Sequence, residues 1–337
     1  MFPSFRQRLM ILLGIASAGW LCLQVVPIAR AADGCDGLVI LSAAAPVRAL
    51  AAVLAAAAAA TIVGGFVGAW GNPLAGVFTL TASLALAASR GGPIDAWLAT
   101  SGSREGYFRL AAEAVVWGVL IALFCEASLG LSGRLVRFLP ASRGEGEDEP
   151  LAVQIDRHSH SAGQPPGGWP VGPRLANALG QLTGLQPRTM QSAIAPTVIV
   201  LVGSLLTIMF LRSTDVGQVT WGLALAYGLA ALTAHQLAPL ASILGMLVSP
   251  LAAAILWYLA IAAWAQSPER LLEAHYQGNL WAPGLALPAH YASAAVAGVA
   301  AGVGCSQVIW LGRIQAHGES APGQDHPGTA APGSARA

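Results

Sequence analysis

Three ionisable side chains lie inside long apolar runs of this 337-residue sequence: Glu113, Glu126 and His235. In a helix that crosses a lipid bilayer, a charged side chain near the centre costs about 2.5–3.5 kcal/mol on insertion scales. Such residues are therefore rare, and they often mark the path of a substrate, an ion or a proton. We take these three, together with Arg109, as the candidate polar positions inside the membrane.

Glu113 shares a helical face with two neighbours, because Arg109 lies four residues before it and Trp117 four residues after it. Two interpretations fit this spacing. The structural interpretation is an interfacial salt bridge between Arg109 and Glu113 with Trp117 as an aromatic anchor. It is favoured because long charged side chains reach water easily near a helix end. The functional interpretation is a substrate or proton contact that faces the bundle interior.

Glu113 and Glu126 cannot form a catalytic carboxylate pair. Thirteen residues of one helix separate them, which corresponds to roughly 20 Å along the axis and about 220° around it. Depth suggests another pair, since Glu126 and His235 both lie near the same predicted end of their helices. If those helices touch, the two side chains could share a hydrogen bond or relay a proton. Two residues that merely lie at headgroup level are the commoner case.

Further polar side chains collect in the segments that follow two of the apolar runs. They are Asp95, Glu269, Arg270, Glu273, His275 and His290. A shared mouth or a partner surface could be built from them, and ordinary solvated loops explain them equally well. His158 and His160 are too few ligands for a metal site. We therefore assign no catalytic residue and expect neither a metal nor a cofactor.

Several enzyme classes are excluded by motifs that the sequence lacks. All 17 basic residues are arginine, so sites that depend on lysine, such as a P-loop or a Schiff base, are ruled out. The sequence contains no C-x-x-C, H-E-x-x-H or G-x-S-x-G motif. A zinc ribbon, a zinc metalloprotease and a serine hydrolase of the usual kinds are therefore not expected.

The composition is that of a membrane protein. Hydrophobic residues make up 55% of the chain and charged residues only 10%, whereas a soluble domain carries about 25% charged residues. The mean hydropathy is +0.62. A formal net charge of +1 argues against nucleic acid as a partner. The sequence predicts an all-α, polytopic helical bundle whose surroundings are the lipid bilayer.

Eight apolar segments are long enough to span a bilayer at 1.5 Å per residue. We place them at residues 10–28, 49–70, 73–89, 108–131, 193–211, 219–240, 243–265 and 291–311, with residues 38–45 as an interfacial or re-entrant lead-in to the second. Pro196 and Pro250 are expected to kink or locally unwind two of them.

The chain divides into five parts. Residues 1–32 form either a first transmembrane helix or a signal peptide cleaved before Ala32, which would leave seven spans. Residues 37–131 form the first membrane half and residues 192–313 the second. Residues 132–191, an acidic and Gly/Pro-rich linker with a short helix at 175–185, and the tail at 314–337 are expected to be disordered. Ten of the 17 arginines lie on the side of this linker, which places it weakly in the cytoplasm.

Small residues spaced four apart predict close helix contacts. The pairs are Gly64 with Gly68, Ala224 with Gly228, and Gly298 with Gly302. Such positions let helix backbones approach each other where lipid gives no hydrophobic drive for association. The second and eighth helices are therefore expected to pack tightly, either within the bundle or between copies of the chain.

An internal repeat of four plus four helices is an open hypothesis. NPLAG at residues 72–76 begins the third span, SPLAA at 249–253 lies in the seventh, and Tyr107 and Tyr291 precede the next span in each half. Both members of each pair run in the same predicted direction, which would make the repeat parallel. Chance matches are common in an alanine-rich sequence.

Three functions remain open from the sequence. The leading hypothesis is a non-catalytic scaffold or accessory subunit of a bacterial cytoplasmic membrane, as a homo-oligomer or with a membrane-complex partner, because intramembrane polar residues are few and no motif is complete. The second is a secondary transporter or channel for a small solute. The third is an intramembrane enzyme that acts on a lipid-linked substrate through the loop carboxylates and His290.

Overall fold

The computed structural model describes residues 5–30, 38–91, 94–138, 190–239, 241–265 and 267–319. Within these ranges the chain is all-α and contains no strand beyond an isolated antiparallel bridge between Arg30 and Leu38. The helical membrane bundle expected from the composition is therefore confirmed.

Ten helices follow one another along the described chain. They are α1 (Phe5–Leu23), α2 (Pro46–Trp70), α3 (Pro73–Ser89), α4 (Ile94–Ser101), α5 (Arg104–Phe138), α6 (Met190–Phe210), α7 (Val216–Leu237), α8 (Ile243–Trp264), α9 (Pro268–Tyr276) and α10, which is built from Pro288–His290, a π-helical turn at Tyr291–Ala295 and Val296–Glu319. A 3-10 turn at Ala282–Leu285 precedes α10. We call the end of the bundle that carries residues 38–45, α4, residues 211–215 and residues 267–287 the loop-rich end.

Six of these helices are long and apolar enough to cross a membrane: α2, α5, α6, α7, α8 and α10. Helix α3 is apolar but has only 17 residues, about 25 Å at the usual rise. Helix α1 ends at Leu23, five residues before the end predicted for the first span. Crossing by α1 and α3, and so the count of eight, stays a prediction.

Several predicted boundaries differ from the observed ones. Helix α5 continues to Phe138, seven residues beyond the predicted end, and α10 continues to Glu319 into the predicted tail. The rest of the linker, including the predicted helix at 175–185, and the rest of the tail lie outside the described residues. Helices α6 and α8 continue through Pro196 and Pro250, so neither proline ends its helix.

Helix pairing within the two halves follows a similar pattern. In the first half, α1 and α5 each pack against α2 and α3; in the second, α6 and α10 each pack against α7 and α8. Between the halves, α3 packs against α10 and α5 packs against α8. If α3 is matched with α8 and α5 with α10 as counterparts in the two halves, each of these contacts is the counterpart of the other. The close α2–α3 pair has no counterpart of similar extent between α7 and α8. The parallel repeat stays a prediction, which this pairing supports.

Of the small-residue pairs selected from the sequence, Gly64 with Gly68 and Gly298 with Gly302 lie at contacts between helices of the bundle. A Cβ atom on Gly64 would lie 2.5 Å from the Gly76 carbonyl oxygen of α3, and one on Gly68 would overlap the Ser132 hydroxyl of α5. Cβ atoms on Gly298 and Gly302 would overlap carbonyl oxygens of α7, those of Ala224 and Gly228 respectively. These glycines let neighbouring backbones touch within one molecule.

Candidate functional site

Glu113 is the most deeply placed carboxylate of the described bundle. Its side chain is only 1% exposed. One carboxylate oxygen, Oε1, accepts hydrogen bonds from the backbone N–H of Ile40 at 3.0 Å and from Nε1 of Trp117 at 3.4 Å. The other, Oε2, accepts from the backbone N–H of Leu41 at 3.2 Å. Both oxygens of this carboxylate are therefore occupied by protein donors.

The donors come from residues 38–45, a non-helical segment between α1 and α2. Two of its other backbone N–H groups bond upstream, Val39 to the Ala29 carbonyl at 3.1 Å and Ala44 to the Arg30 carbonyl at 3.3 Å, and Ala43 bonds within the segment to the Ile40 carbonyl at 3.4 Å. Glu113 lies nine residues into α5, or about 14 Å along its axis. The segment packs inside the bundle, where unpaired backbone N–H groups would be costly.

Arg109 does not pair with Glu113, contrary to the salt bridge considered from the sequence. Its guanidinium lies 2.7 Å from Glu105 instead, and both side chains are largely exposed. Glu105 and Glu113 are equally spaced from Arg109 along the helix, so spacing alone could not choose between them. The buried carboxylate is already satisfied by Ile40 and Leu41. The predicted proximity of Trp117 to Glu113 is observed.

A second buried segment, residues 282–287, contains the 3-10 turn before α10 and is bound by three tyrosine hydroxyls. Tyr258 donates to the Ala286 carbonyl at 2.6 Å and Tyr291 to the Pro283 carbonyl at 3.0 Å. Tyr107 donates to the Gly284 carbonyl at 3.3 Å. The three tyrosines are fully buried, and they come from α8, α10 and α5. Side chains from both halves of the chain thus hold one short turn.

These tyrosines belong to a continuous chain of buried aromatic rings. Ring centroids are separated by 5.6 Å from Trp97 to Tyr107, 6.2 Å to Tyr258, 6.3 Å to Tyr291 and 6.1 Å to Tyr227. Edge-to-face and tilted contacts at such spacing stabilise aromatic pairs by about 0.5–1.5 kcal/mol. The chain of rings joins α4, α5, α8, α10 and α7 into one packed centre beside the loop-rich end.

His290, three residues after this second segment, binds its last residue. It is 3% exposed, and its Nδ1 accepts a hydrogen bond from the backbone N–H of Leu287 at 3.2 Å. Because Nδ1 accepts, the proton of the neutral ring is assigned to Nε2. The π-helical turn at Tyr291–Ala295 follows directly, a rare feature that is frequent at functional sites.

His235 contacts α10 rather than Glu126. Its Nδ1 lies 2.9 Å from the Ser306 hydroxyl, and the neighbouring Gln236 donates to the same hydroxyl at 2.8 Å. Glu126 is half-buried on α5, and no hydrogen bond or ion pair of the described residues joins it to His235. The pair considered from the sequence is therefore not formed, because the side chain of α7 at this level faces its principal neighbour, α10.

The polar loop residues converge only in part. Asp95 of α4 accepts a hydrogen bond from Thr214 at 2.7 Å, and His275 Nε2 of α9 lies 3.0 Å from its other carboxylate oxygen. Glu269 at the start of α9 is fully exposed; its own backbone N–H and the Ser267 hydroxyl lower its pKa by bonding the charged form. No group of three metal-ligating side chains occurs in the part of the chain that the structure describes. His158 and His160 lie outside it.

We call the buried residues Tyr107, Tyr227, Tyr258 and Tyr291 the tyrosine centre. The sequence did not predict it. Tyr107 and Tyr291 entered only as markers of a repeat, and Tyr258 and Tyr227 were not selected. One signal was present, since a tyrosine in an apolar run must find a partner for its hydroxyl when it is buried. The partner carbonyls lie up to 177 residues away. Because every residue has a backbone carbonyl, the sequence does not indicate which ones the hydroxyls bind.

Chemically, the Glu113 carboxylate, the hydroxyls of Tyr107, Tyr258 and Tyr291, and His290 Nδ1 satisfy backbone groups of two buried turns. Comparison with known proteins identifies no relative: the chain matches no family model, no curated protein and no solved structure.

Proposed function

We propose that the protein is a non-catalytic, multi-pass scaffold or accessory subunit of a membrane, and that the membrane is the cytoplasmic membrane of a bacterium. The observation that carries the proposal is the state of Glu113. Its two carboxylate oxygens accept hydrogen bonds from the backbone of residues 38–45. A carboxylate bound in this way positions a chain segment, and its side chain is only 1% exposed.

The tyrosine centre supports the same conclusion. Three buried hydroxyls donate to carbonyls of residues 282–287, and His290 binds a backbone N–H of the same segment. Non-helical backbone at membrane depth is tolerated only where protein or water satisfies it. These polar groups therefore hold two turns in fixed positions, as a rigid scaffold requires.

An enzyme that uses the loop carboxylates with His290 is less well supported. Asp95 and His275 do meet at 3.0 Å, but His290 is buried and engaged with Leu287, and Glu269 is fully exposed. A catalytic group must come within hydrogen-bonding reach of the substrate together with its partners.

A secondary transporter is the second candidate, and one observation favours it. The cross-contacts of α3 with α10 and α5 with α8 resemble the interface of a two-fold repeat, and transporter binding sites commonly lie at such interfaces. In this arrangement α5 brings Glu113, and α8 and α10 bring Tyr258 and Tyr291, to the interface. Transport would require Glu113 to exchange its backbone partners for a solute or a proton.

Proton flux distinguishes the two candidates. The purified full chain is reconstituted into liposomes that enclose a pH-sensitive dye, and a proton gradient is imposed. We expect the wild type, Glu113→Gln and the matched control Glu105→Gln to match empty liposomes. A flux that Glu113→Gln abolishes and Glu105→Gln preserves would contradict the scaffold proposal and support the transporter.

A scaffold must also have something to hold. Native electrophoresis of gently solubilised membranes that contain the chain should show it in an assembly clearly larger than its 34.3 kDa mass. Either a homo-oligomer or a heteromeric complex would agree with the proposal. A chain that migrates only as a monomer in its own detergent micelle would contradict it.

A further inference from the structure

A pocket of about 570 Å³ opens at the loop-rich end between the α6–α7 connection and the segment that follows α9. This volume is within the range of about 300–1,000 Å³ that is typical of small-molecule sites. Neither the buried Glu113 contact nor the tyrosine centre uses it. Its two walls differ in chemistry, and that difference indicates what it could bind.

The polar wall carries positive charge. It includes Arg212, His275 and Asn279, and no carboxylate lines the pocket. Arg212 is exposed, and its Nε donates to the Met209 carbonyl at 3.3 Å, which leaves its two terminal nitrogens without a partner among the described residues. The Asp95 carboxylate does not line the pocket. One of its oxygens lies 3.0 Å from His275 Nε2, and the other accepts a hydrogen bond from the Thr214 hydroxyl. An anionic group fits this wall.

The pocket is lined by an aromatic side chain of the kind that is enriched at the membrane–water interface. Trp281 lines it and packs against two further tryptophans, with ring centroids 5.8 Å from both Trp257 and Trp264. The guanidinium of Arg270 lies 5.2 Å from the Trp264 ring. Tryptophan and arginine together are typical of the headgroup level. A ligand in this pocket would therefore be within reach of lipid headgroups.

The apolar wall continues into the lipid-facing surface of α6. Ile208 lines the pocket and is 45% exposed, and Leu205 and Leu201 on the same helix face are 60% and 65% exposed. Their spacing of three and four residues forms one stripe, which descends from the pocket along the helix. An acyl chain can follow this stripe while its headgroup occupies the polar end.

We propose that this pocket binds the headgroup of an anionic phospholipid. The phosphate is held by the Arg212 guanidinium and the His275 ring, the glycerol region packs against Trp281 and Leu285, and an acyl chain lies along the stripe of α6. The shared chemistry is that of a phosphate monoanion, and the lipid is its source. This inference does not depend on whether the protein is a scaffold or a transporter.

The test measures lipid binding to the purified full-length protein by native mass spectrometry. The protein in neutral detergent is titrated with phosphatidylglycerol and, separately, with phosphatidylcholine. We expect tighter binding of phosphatidylglycerol, and we expect Arg212→Gln to weaken it by about tenfold or more, since hydrogen bonds to charged groups contribute about 1.5–3 kcal/mol. The matched control Arg104→Gln removes another exposed arginine at the same end and should change the affinity less than about twofold.

Two further measurements test the position of the site and the identity of the ligand separately. Leu285→Trp fills the pocket but retains Arg212, and it should also abolish the preference for phosphatidylglycerol. Inorganic phosphate and glycerol phosphate, added at the concentration of the lipid, should not displace it. Displacement by the free anions would overturn the lipid assignment. Equal binding of the two lipids, or unchanged binding in both pocket variants, would overturn the site itself.

Discussion

Two segments that enter the bundle at the loop-rich end, residues 38–45 and residues 282–287, are held by hydrogen bonds of opposite direction. Residues 38–45 are bound by one carboxylate, which accepts hydrogen bonds from backbone N–H groups. Residues 282–287 are bound chiefly by three tyrosine hydroxyls, which donate to backbone carbonyls. In both cases a distant helix supplies what the local backbone lacks.

Proline content explains the difference. The first segment contains no proline, so every residue in it has an N–H group that needs an acceptor. Both segments are followed directly by a proline, Pro46 and Pro288, but only the second contains one, Pro283. Proline has no N–H group to donate, so carbonyls outnumber donors around this turn. A carboxylate corrects an excess of donors, and a group of tyrosines corrects an excess of acceptors.

Removing the carboxylate should have the largest effect. In Glu113→Ala the N–H groups of Ile40 and Leu41 lose their acceptor, and each unpaired buried group costs about 1–3 kcal/mol. We expect the free energy of unfolding to fall by about 2–6 kcal/mol, measured by circular dichroism of the detergent-purified protein. Glu113→Gln keeps one acceptor oxygen and should lose roughly half as much.

The control for this prediction is Glu105→Ala on the same helix. Glu105 is exposed and pairs only with Arg109, so its loss should cost less than about 0.5 kcal/mol. If Glu113→Ala were no more destabilising than Glu105→Ala, the first segment would not depend on the carboxylate, and the contrast between the two segments would fail.

His290 tests a backbone N–H of the second segment that a side chain accepts. Its Nδ1 accepts from the Leu287 N–H at the start of α10, and His290→Leu leaves that buried group unpaired. We expect a loss of about 1–3 kcal/mol. His290→Gln should recover much of it, because a glutamine at the third helical position can accept from the N-cap N–H. Equal losses in the two variants would show that packing, not the hydrogen bond, is at stake.

The tyrosine hydroxyls should each contribute less. Tyr258→Phe removes the shortest of the three bonds, at 2.6 Å, and we expect a loss of about 1 kcal/mol, because an under-satisfied carbonyl is tolerated better than an orphan N–H. Tyr291→Phe and Tyr107→Phe, with bonds of 3.0 and 3.3 Å, should follow in that order. Thermal unfolding of the three single variants measures the ranking, and the reverse order would refute it.

Helices and their approximate ends were predictable, because apolar runs of membrane length determine helices locally. The proximity of Trp117 to Glu113, four residues apart, could also be predicted, but the burial of Glu113 could not, since the favoured interpretation placed it in an interfacial salt bridge. Its partners could not, since Ile40 lies 73 residues away and contributes a backbone N–H, which every residue except proline has. The same reason concealed the carbonyl partners of Tyr107 and Tyr258.

Spacing also failed where two candidates were equivalent. Arg109 has a glutamate four residues before it and another four residues after it, and only burial decides which one it pairs with. Amphipathic patterning is weak in a helix that faces lipid on one side and apolar protein on the other. The sequence therefore could not indicate that Glu113 faces residues 38–45 while Glu105 faces solvent.

Arg109→Gln should have the smallest effect. The arginine is 63% exposed and paired with an exposed carboxylate, and such surface pairs contribute about 0–1 kcal/mol. We expect the free energy of unfolding to change by less than about 0.5 kcal/mol and the remaining difference to vanish at high salt, where exposed charges are screened.

Measuring Arg109→Gln in the Glu113→Gln background sharpens the comparison between the segments. Because Arg109 does not contact Glu113, the two effects should add within about 0.5 kcal/mol. A larger coupling would mean that Arg109 reaches the buried carboxylate after all, so that residues 38–45 would be held by an ion pair rather than by the carboxylate alone.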